Sequence, residues 1–165
     1  MKALIISPHN DDVLIGCFKV VVERGLGELL KFDDVLVFFD ERGFEGNSDR
    51  KREAHTFSED MKLTVVENPF DEVVDVVFAP SPESYHPLHK YWSWRALDLK
   101  SNVLVYYSID MIEWWVRPLS SSDSKLKHLL LDKYFPIESD LWKCDAKYYL
   151  FEGYTVLPLW SLEVV

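Results

Sequence analysis

Short uninterrupted apolar runs alternate with longer stretches of helical period along most of this chain. Lys2-Ala3-Leu4-Ile5-Ile6, Asp34-Val35-Leu36-Val37-Phe38-Phe39, Leu63-Thr64-Val65-Val66, Asp75-Val76-Val77-Phe78-Ala79 and Asn102-Val103-Leu104-Val105-Tyr106-Tyr107 are too short for buried helices and rich in β-branched and aromatic residues. They read as strands buried on both faces. Val13 to Arg24 reads as a helix stopped by Gly25. Ser48 to Lys62 reads as a second helix, capped by Asn47 or Ser48, with Ala54, Phe57 and Met61 on one face. Ser120-Ser121-Ser122-Asp123 caps a third, with Leu126, Leu129, Leu130 and Tyr134 on one face. Leu26 to Asp33 fits neither period, and Pro80 to Lys90 reads as a loop. Strands alternating with helices predict an α/β fold with a mainly parallel central sheet and right-handed crossovers. There is no repeat, low-complexity segment or linker, so one domain is expected over residues 1–165.

Composition narrows the class. Of the 165 residues, 48% are hydrophobic and 15% aromatic, which suits a packed core rather than disorder. The net charge is −10, with 28 acidic against 18 basic residues and no Lys/Arg stripe, so nucleic acid and anionic membrane are poor partners. Two cysteines, Cys17 and Cys144, build neither a four-thiolate zinc site nor a disulfide framework, and Cys17 reads as a small core residue. No apolar run reaches transmembrane length and Met1-Lys2 leads straight into a strand, so the expectation is a cytoplasmic protein without membrane insertion.

The polar residues gather where ligands bind in such a sheet. His9, Asp11 and Asp12 follow the first strand, Asp40 and Glu41 the second, and His86 and His89 the fourth. In a parallel sheet these three loops emerge on one edge, at the carboxyl ends of the strands. Asn10, Asp11 and Asp12 are also preferred helix-capping residues, which is the simpler use for them. Two His and one Asp around an open position are the ligand type of a catalytic zinc site, and this set leaves a carboxylate and a His over for proton transfer and oxyanion stabilisation. A phospho-acceptor receiver domain is excluded: Val66-Glu67-Asn68 and Tyr107-Ser108-Ile109 lack its Asp and Lys.

These motifs resemble the PIG-L/LmbE-like zinc-dependent N-acetylglucosaminyl deacetylases. Pro8-His9-Asn10-Asp11-Asp12-Val13 is similar to that family's His-Pro-Asp-Asp-Glu turn, and His86-Pro87-Leu88-His89 to its His-Pro-Asp-His loop. Phe39-Asp40-Glu41-Arg42-Gly43 resembles its Thr-x-Gly-Glu-type loop, and Arg50-Lys51-Arg52-Glu53 its Arg-x-x-Glu helix start. The resemblance covers most of the chain up to about residue 110 and implies a three-layer Rossmann-like fold. It implies Zn2+, or another divalent transition metal, held by His9, Asp12 and His89. It makes Asp11 the general base and His86 the group that steadies the oxyanion. The implied reaction removes acetate from an N-acetylglucosamine-containing sugar or glycoconjugate. Asn10, Val13 and Leu88 stand where the family has Pro, Glu and Asp. The last two losses keep open a metal- or sugar-binding relative without turnover; an amidase acting on another amide, such as a thiol conjugate, is a further alternative.

Arg50, Asp40, Glu41 and Trp92 are the substrate-binding candidates. Arg50 suits a sugar hydroxyl or phosphate, and an indole at 92 suits a sugar ring, although core packing of Tyr91-Trp92-Ser93-Trp94 is the better use of that segment. His55 and His128 fall on helices and read as surface residues. Trp114 and Trp115 are adjacent, so in an extended segment one covers the sheet and the other is left for a ligand or a partner subunit; a homo-oligomer is compatible with this.

Overall fold

The first strand is apolar at every interior position because both its faces are covered. Ala3 and Ile5 enter one apolar cluster, Leu4 and Ile6 the other, and all four are fully buried. The computed structural model describes residues 1–157; the last eight residues of the expected domain lie outside them. In chain order the elements are β1 (Lys2–Ser7), α1 (Asp12–Val22), β2 (Gly25–Leu26), β3 (Leu30–Lys31), β4 (Asp34–Phe39), α2 (Ser48–Asp60), β5 (Thr64–Val65), β6 (Val73–Pro80), α3 (Pro87–Arg95), β7 (Lys100–Tyr107), β8 (Val116–Pro118), α4 (Ser121–Tyr134), α5 (Ser139–Cys144), α6 (Lys147–Leu150) and β9 (Phe151–Leu157). The central sheet has the order β5-β4-β1-β6-β7-β9-β8. Its first five strands are mutually parallel; β9 runs antiparallel to both β7 and β8.

This is a three-layer Rossmann-like architecture with a mainly parallel sheet. On one face, Phe18 of α1, Phe57 of α2 and Leu131 of α4 pack with Phe135 and Trp142. On the other, Trp92 of α3 packs with Ala96, Leu99 and Tyr106. The chain runs outward from β1 through β4 to β5, then returns to the opposite side of β1 with β6. The crevice between the ends of β1 and β6 is therefore a topological switch point, where open α/β sheets bind ligands.

Several elements differ from the sequence expectation. The unassigned stretch after α1 is the β2–β3 ribbon, turned at Gly27 with φ +62°. Arg24, at φ +56°, ends α1 in place of Gly25, which belongs to β2. The expected Pro80–Lys90 loop ends early, because α3 begins at Pro87. Proline suits the first position of a helix, where its missing N–H has no partner to lose. Nothing in the apolar pattern had announced β8 or the antiparallel β9.

The buried stripe of α4 is also displaced. It is Ser124, Lys127, Leu131 and Tyr134, while Leu126 and Leu129 face outward. Those spacings of three, four and three residues make one helix face, but a serine and a lysine hide it from a hydrophobicity count. Leu131→Ala should therefore cost ~2–5 kcal/mol, whereas Leu129→Gln should stay within about 0.5 kcal/mol of the parent. Urea unfolding measures both, and equal effects would contradict this placement of α4.

Candidate metal centre

The turn after β1 is stapled by Ser7. Its hydroxyl donates to the His9 carbonyl at 2.7 Å and accepts from the Val13 N–H at 2.9 Å. Ser7 thus satisfies a free amide of the first turn of α1. Asp11 occupies the N-cap position but makes no side-chain cap bond, and the simple capping use does not apply to it. Asp12 turns inward, and its Oδ2 accepts from the His9 N–H at 2.8 Å.

Three donor atoms then converge. His9 Nδ1 lies 3.0 Å from Asp12 Oδ2 and 3.0 Å from His89 Nε2, and His89 Nε2 lies 2.9 Å from the same Asp12 oxygen. Bonds of about 2.0–2.2 Å to one tetrahedral ion put donors roughly 3.3–3.6 Å apart. The three atoms need to open by only a few tenths of an ångström to accept such an ion. His86 adds a third ring: ligand atoms of His9, His86 and His89 all lie within 4.8 Å of one another. The cluster can hold a metal ion. Two donor sets share His9 and His89 and differ in whether Asp12 or His86 is third.

α3 explains how His86 and His89 reach this point. His86 is the N-cap of α3, and its Nδ1 accepts from the Leu88 N–H at 3.1 Å. His89 stands in the first turn, buried, with its Nδ1 2.8 Å from Ser84 Oγ. An N–H on Nδ1 held by Ser84 leaves the lone pair of Nε2 facing the other donors, the usual orienting arrangement around a ligating imidazole. Leu88 packs on the apolar cluster under α3.

The charges are strongly coupled. Burial opposes ionisation of Asp12, yet His89 and His9 hold its carboxyl well below the usual range. Burial likewise opposes a charged ring at His9, but the Asp12 and Asp11 carboxylates outweigh it and raise the pKa to about 9. Asp11 is pushed up to about 8 by burial first, then by the neighbouring charges of Asp12 and Glu138. Its Oδ2 is buried with no hydrogen-bond partner among the described residues. Burial and the charge on His9 lower His86.

A pocket of about 250 Å³ opens in front of these groups. Ile15, Ile109, Leu141 and Tyr148 supply its apolar wall, and Glu45, Asp110 and Glu138 its acidic one. Arg50 lies in it, ion-paired with Glu45 Oε2 at 3.2 Å and with Glu138 Oε1.

The other substrate-binding candidates fall outside the pocket, and here the sequence expectation is corrected. Asp40 follows β4, one strand away from the switch point, and its carboxylate accepts from Arg42 and, at 2.7 Å, from the indole N–H of Trp92. Trp92 is buried against Phe38 and Phe70. Glu41 is exposed and pairs with Lys51. The loop still serves the site through Gly43, which packs on the backbone of Pro8 and His9. His55 is exposed, and His128 stacks on Tyr149 away from the cluster. Sequence reasoning missed Ser7, Ser84, Glu45, Asp110, Glu138 and Tyr148. Ser7 and Ser84, each two residues before a histidine of the cluster, carried a weak local signal; the others are brought in by tertiary packing.

Comparison with known proteins adds the fold. No protein-family model and no curated protein sequence matches the chain. Among solved structures, it is similar to the conserved protein TT1542 from Thermus thermophilus, with a TM-score of 0.62, 18% identity and 94% of each chain covered. It is also similar to GalB, the 4-carboxy-2-hydroxymuconate hydratase from Pseudomonas putida, with a TM-score of 0.58, 14% identity and coverage of 94% of this chain and 95% of that one. At these identities the likeness is one of fold.

Proposed function

We propose that this chain is a divalent-metal-dependent amide hydrolase that removes the N-acetyl group of an amino sugar, as its motif resemblance to the PIG-L/LmbE-like deacetylases implies. The observation that carries the reading is the convergence of His9, Asp12 and His89 donor atoms within 3.0 Å at the head of an open pocket. Zn2+ held there would supply Lewis acidity and a nucleophilic water at neutral pH. Asp12 is the third ligand in preference to His86. Because Nδ1 of His86 accepts the Leu88 amide, the neutral ring carries its proton on Nε2. That leaves His86 an N–H donor suited to a developing oxyanion and unsuited to ligation. Asp11, buried beside the ligands with a free oxygen, would be ionised once a divalent cation offsets the burial and the neighbouring carboxylates that raise it, and then takes the proton of the attacking water and passes it to the leaving amine.

The pocket wall favours this substrate class over an anionic one. Arg50 is already met by Glu45 and Glu138, and the lining residues include no lysine. A tricarboxylate such as the compound in GalB's name would face Glu45, Asp110 and Glu138. A neutral or amine-bearing amide would not be repelled. At about 250 Å³ the pocket is small beside the ~300–1,000 Å³ common for ligand sites, which suits one ring and its acetamide. A cytoplasmic setting belongs to the same proposal, supported by two free cysteines, one of them exposed.

The test is direct. Protein loaded with Zn2+ should hold one ion per chain by elemental analysis and release acetate and a primary amine from an N-acetylglucosamine conjugate. A carboxylated or phosphorylated analogue should be the poorer substrate. Absence of bound metal would end the reading; bound metal with neither product from several acetylated sugars would move it to another amide or to a binding role.

A further inference from the structure

α1 is broken in the middle. Cys17 has φ −126° and ψ 31°, well outside the helical range. The break falls inside the turn that would join the Ile15 carbonyl to the Lys19 amide, four residues on. At this point the helix is pressed against β7: a Cβ on Gly16 would stand 2.1 Å from the ring of Tyr107.

Both ends of the interrupted turn are met from outside the helix. Lys127 of α4, wholly buried, donates from Nζ to the Ile15 carbonyl at 2.6 Å and to the Phe151 carbonyl at 3.0 Å. The Lys19 N–H donates to Glu152 Oε1 at 3.2 Å, and the same oxygen accepts from the Tyr154 hydroxyl at 2.5 Å. Two residues far apart in sequence thus supply the acceptor and the donor that a continuous turn would have supplied to itself. Burying an ammonium and a carboxyl is unfavourable without such work to do. Burial pushes Lys127 down to about 8 and Glu152 up to about 7. Neither residue lines the metal pocket.

We propose that Lys127 and Glu152 are positioning residues, a two-point clasp that closes the broken turn of α1 and so holds Asp11, Asp12 and Ile15 against the metal pocket. A helix interrupted in this way is a kink point. The segment upstream of it carries Asp12, whose oxygen must stay in place against His89 from α3. Binding constellations tolerate displacements of only about 0.5 Å. The action on the metal site rests on the metal-centre reading above; the closing of the turn does not.

Amide hydrogen exchange and cobalt titration separate the two statements. In the unaltered protein the Lys19 amide should be as protected as its helical neighbours; exchange at the rate of an exposed loop would overturn the clasp. Lys127→Met and Glu152→Met remove the donor and the acceptor at similar volume. Each should raise exchange in the residue 13–19 segment at least tenfold relative to β1, weaken Co2+ binding by about 10–100-fold, and shift the cobalt absorption bands. Glu152→Gln keeps an acceptor oxygen and should return within about twofold of the parent on all three readouts. Folded Met variants with parental cobalt affinity and spectrum would reduce the pair to core packing and overturn the positioning role. Should the Met variants fail to fold, a folded Glu152→Gln that loses cobalt affinity would overturn it equally. A parent that binds no cobalt would sink the metal-centre reading instead, with the exchange measurements still deciding the clasp.

Discussion

Asp11→Asn should retain one metal ion per chain and lose turnover by about 10²–10⁴-fold, the usual contribution of a positioned general base. His89→Ala, in contrast, should lose the ion itself. The two outcomes separate because the side chains do different things. His89 Nε2 is one of three mutually contacting donor atoms, and Ser84 holds the other ring nitrogen. The Asp11 carboxyl has an oxygen with no partner among the described residues. An amide at position 11 is nearly isosteric and keeps the packing, but it cannot accept a proton at neutral pH. Metal content by elemental analysis, read beside acetate release, checks both at once. Equal loss of metal in the two variants would show that Asp11 is itself a ligand.

Gly43→Ala should be the most damaging single methyl in the chain. A Cβ at this position would stand 1.7 Å from the Pro8 carbonyl oxygen, 2.7 Å from its carbon and 3.1 Å from the Cα of His9. Those are backbone atoms at the head of the site, and no flexible side-chain end is available to move aside. Overpacking commonly costs ~1–3 kcal/mol, and a backbone-on-backbone clash belongs at or above the top of that range. For a chain of this length, about 3 kcal/mol lowers Tm by roughly 6–12 °C. Because the displaced segment carries His9, metal affinity should fall with stability. Calorimetry with a cobalt titration on the same sample tests this, and an unchanged Tm would mean that the loop after β4 does not support the turn after β1.

The five parallel strands and the alternation with helices were legible in the sequence for a simple reason. A strand covered on both faces must be apolar throughout, and runs such as Leu4-Ile5-Ile6 and Val76-Val77-Phe78 have no other common use. The antiparallel edge of the sheet was not legible. β8 and β9 lie beyond the parallel core, and their segments are neither uniformly apolar nor cleanly alternating. The face of α4 was misread because Lys127 and Ser124 occupy it. A buried lysine is identified only by the carbonyls it meets, and one of these belongs to Ile15, 112 residues away.

The candidate site divides in the same way. Residue types and spacing determined that His9, Asp11, Asp12, His86 and His89 follow their strands on one sheet edge, because parallel strands separated by crossovers must end together. Which of them touch is a matter of strand order. β6 returns beside β1, so His86 and His89 meet the His9 turn, whereas β4 lies on the far side and carries Asp40 and Glu41 away from it. Trp92 is three residues beyond His89 on α3, and that helix aims it at Phe38 and Asp40 under the sheet. The acidic wall of Glu45, Asp110 and Glu138 is assembled from three separate segments. No local pattern announces it, because proximity between residues so distant in sequence exists only once the layers have packed.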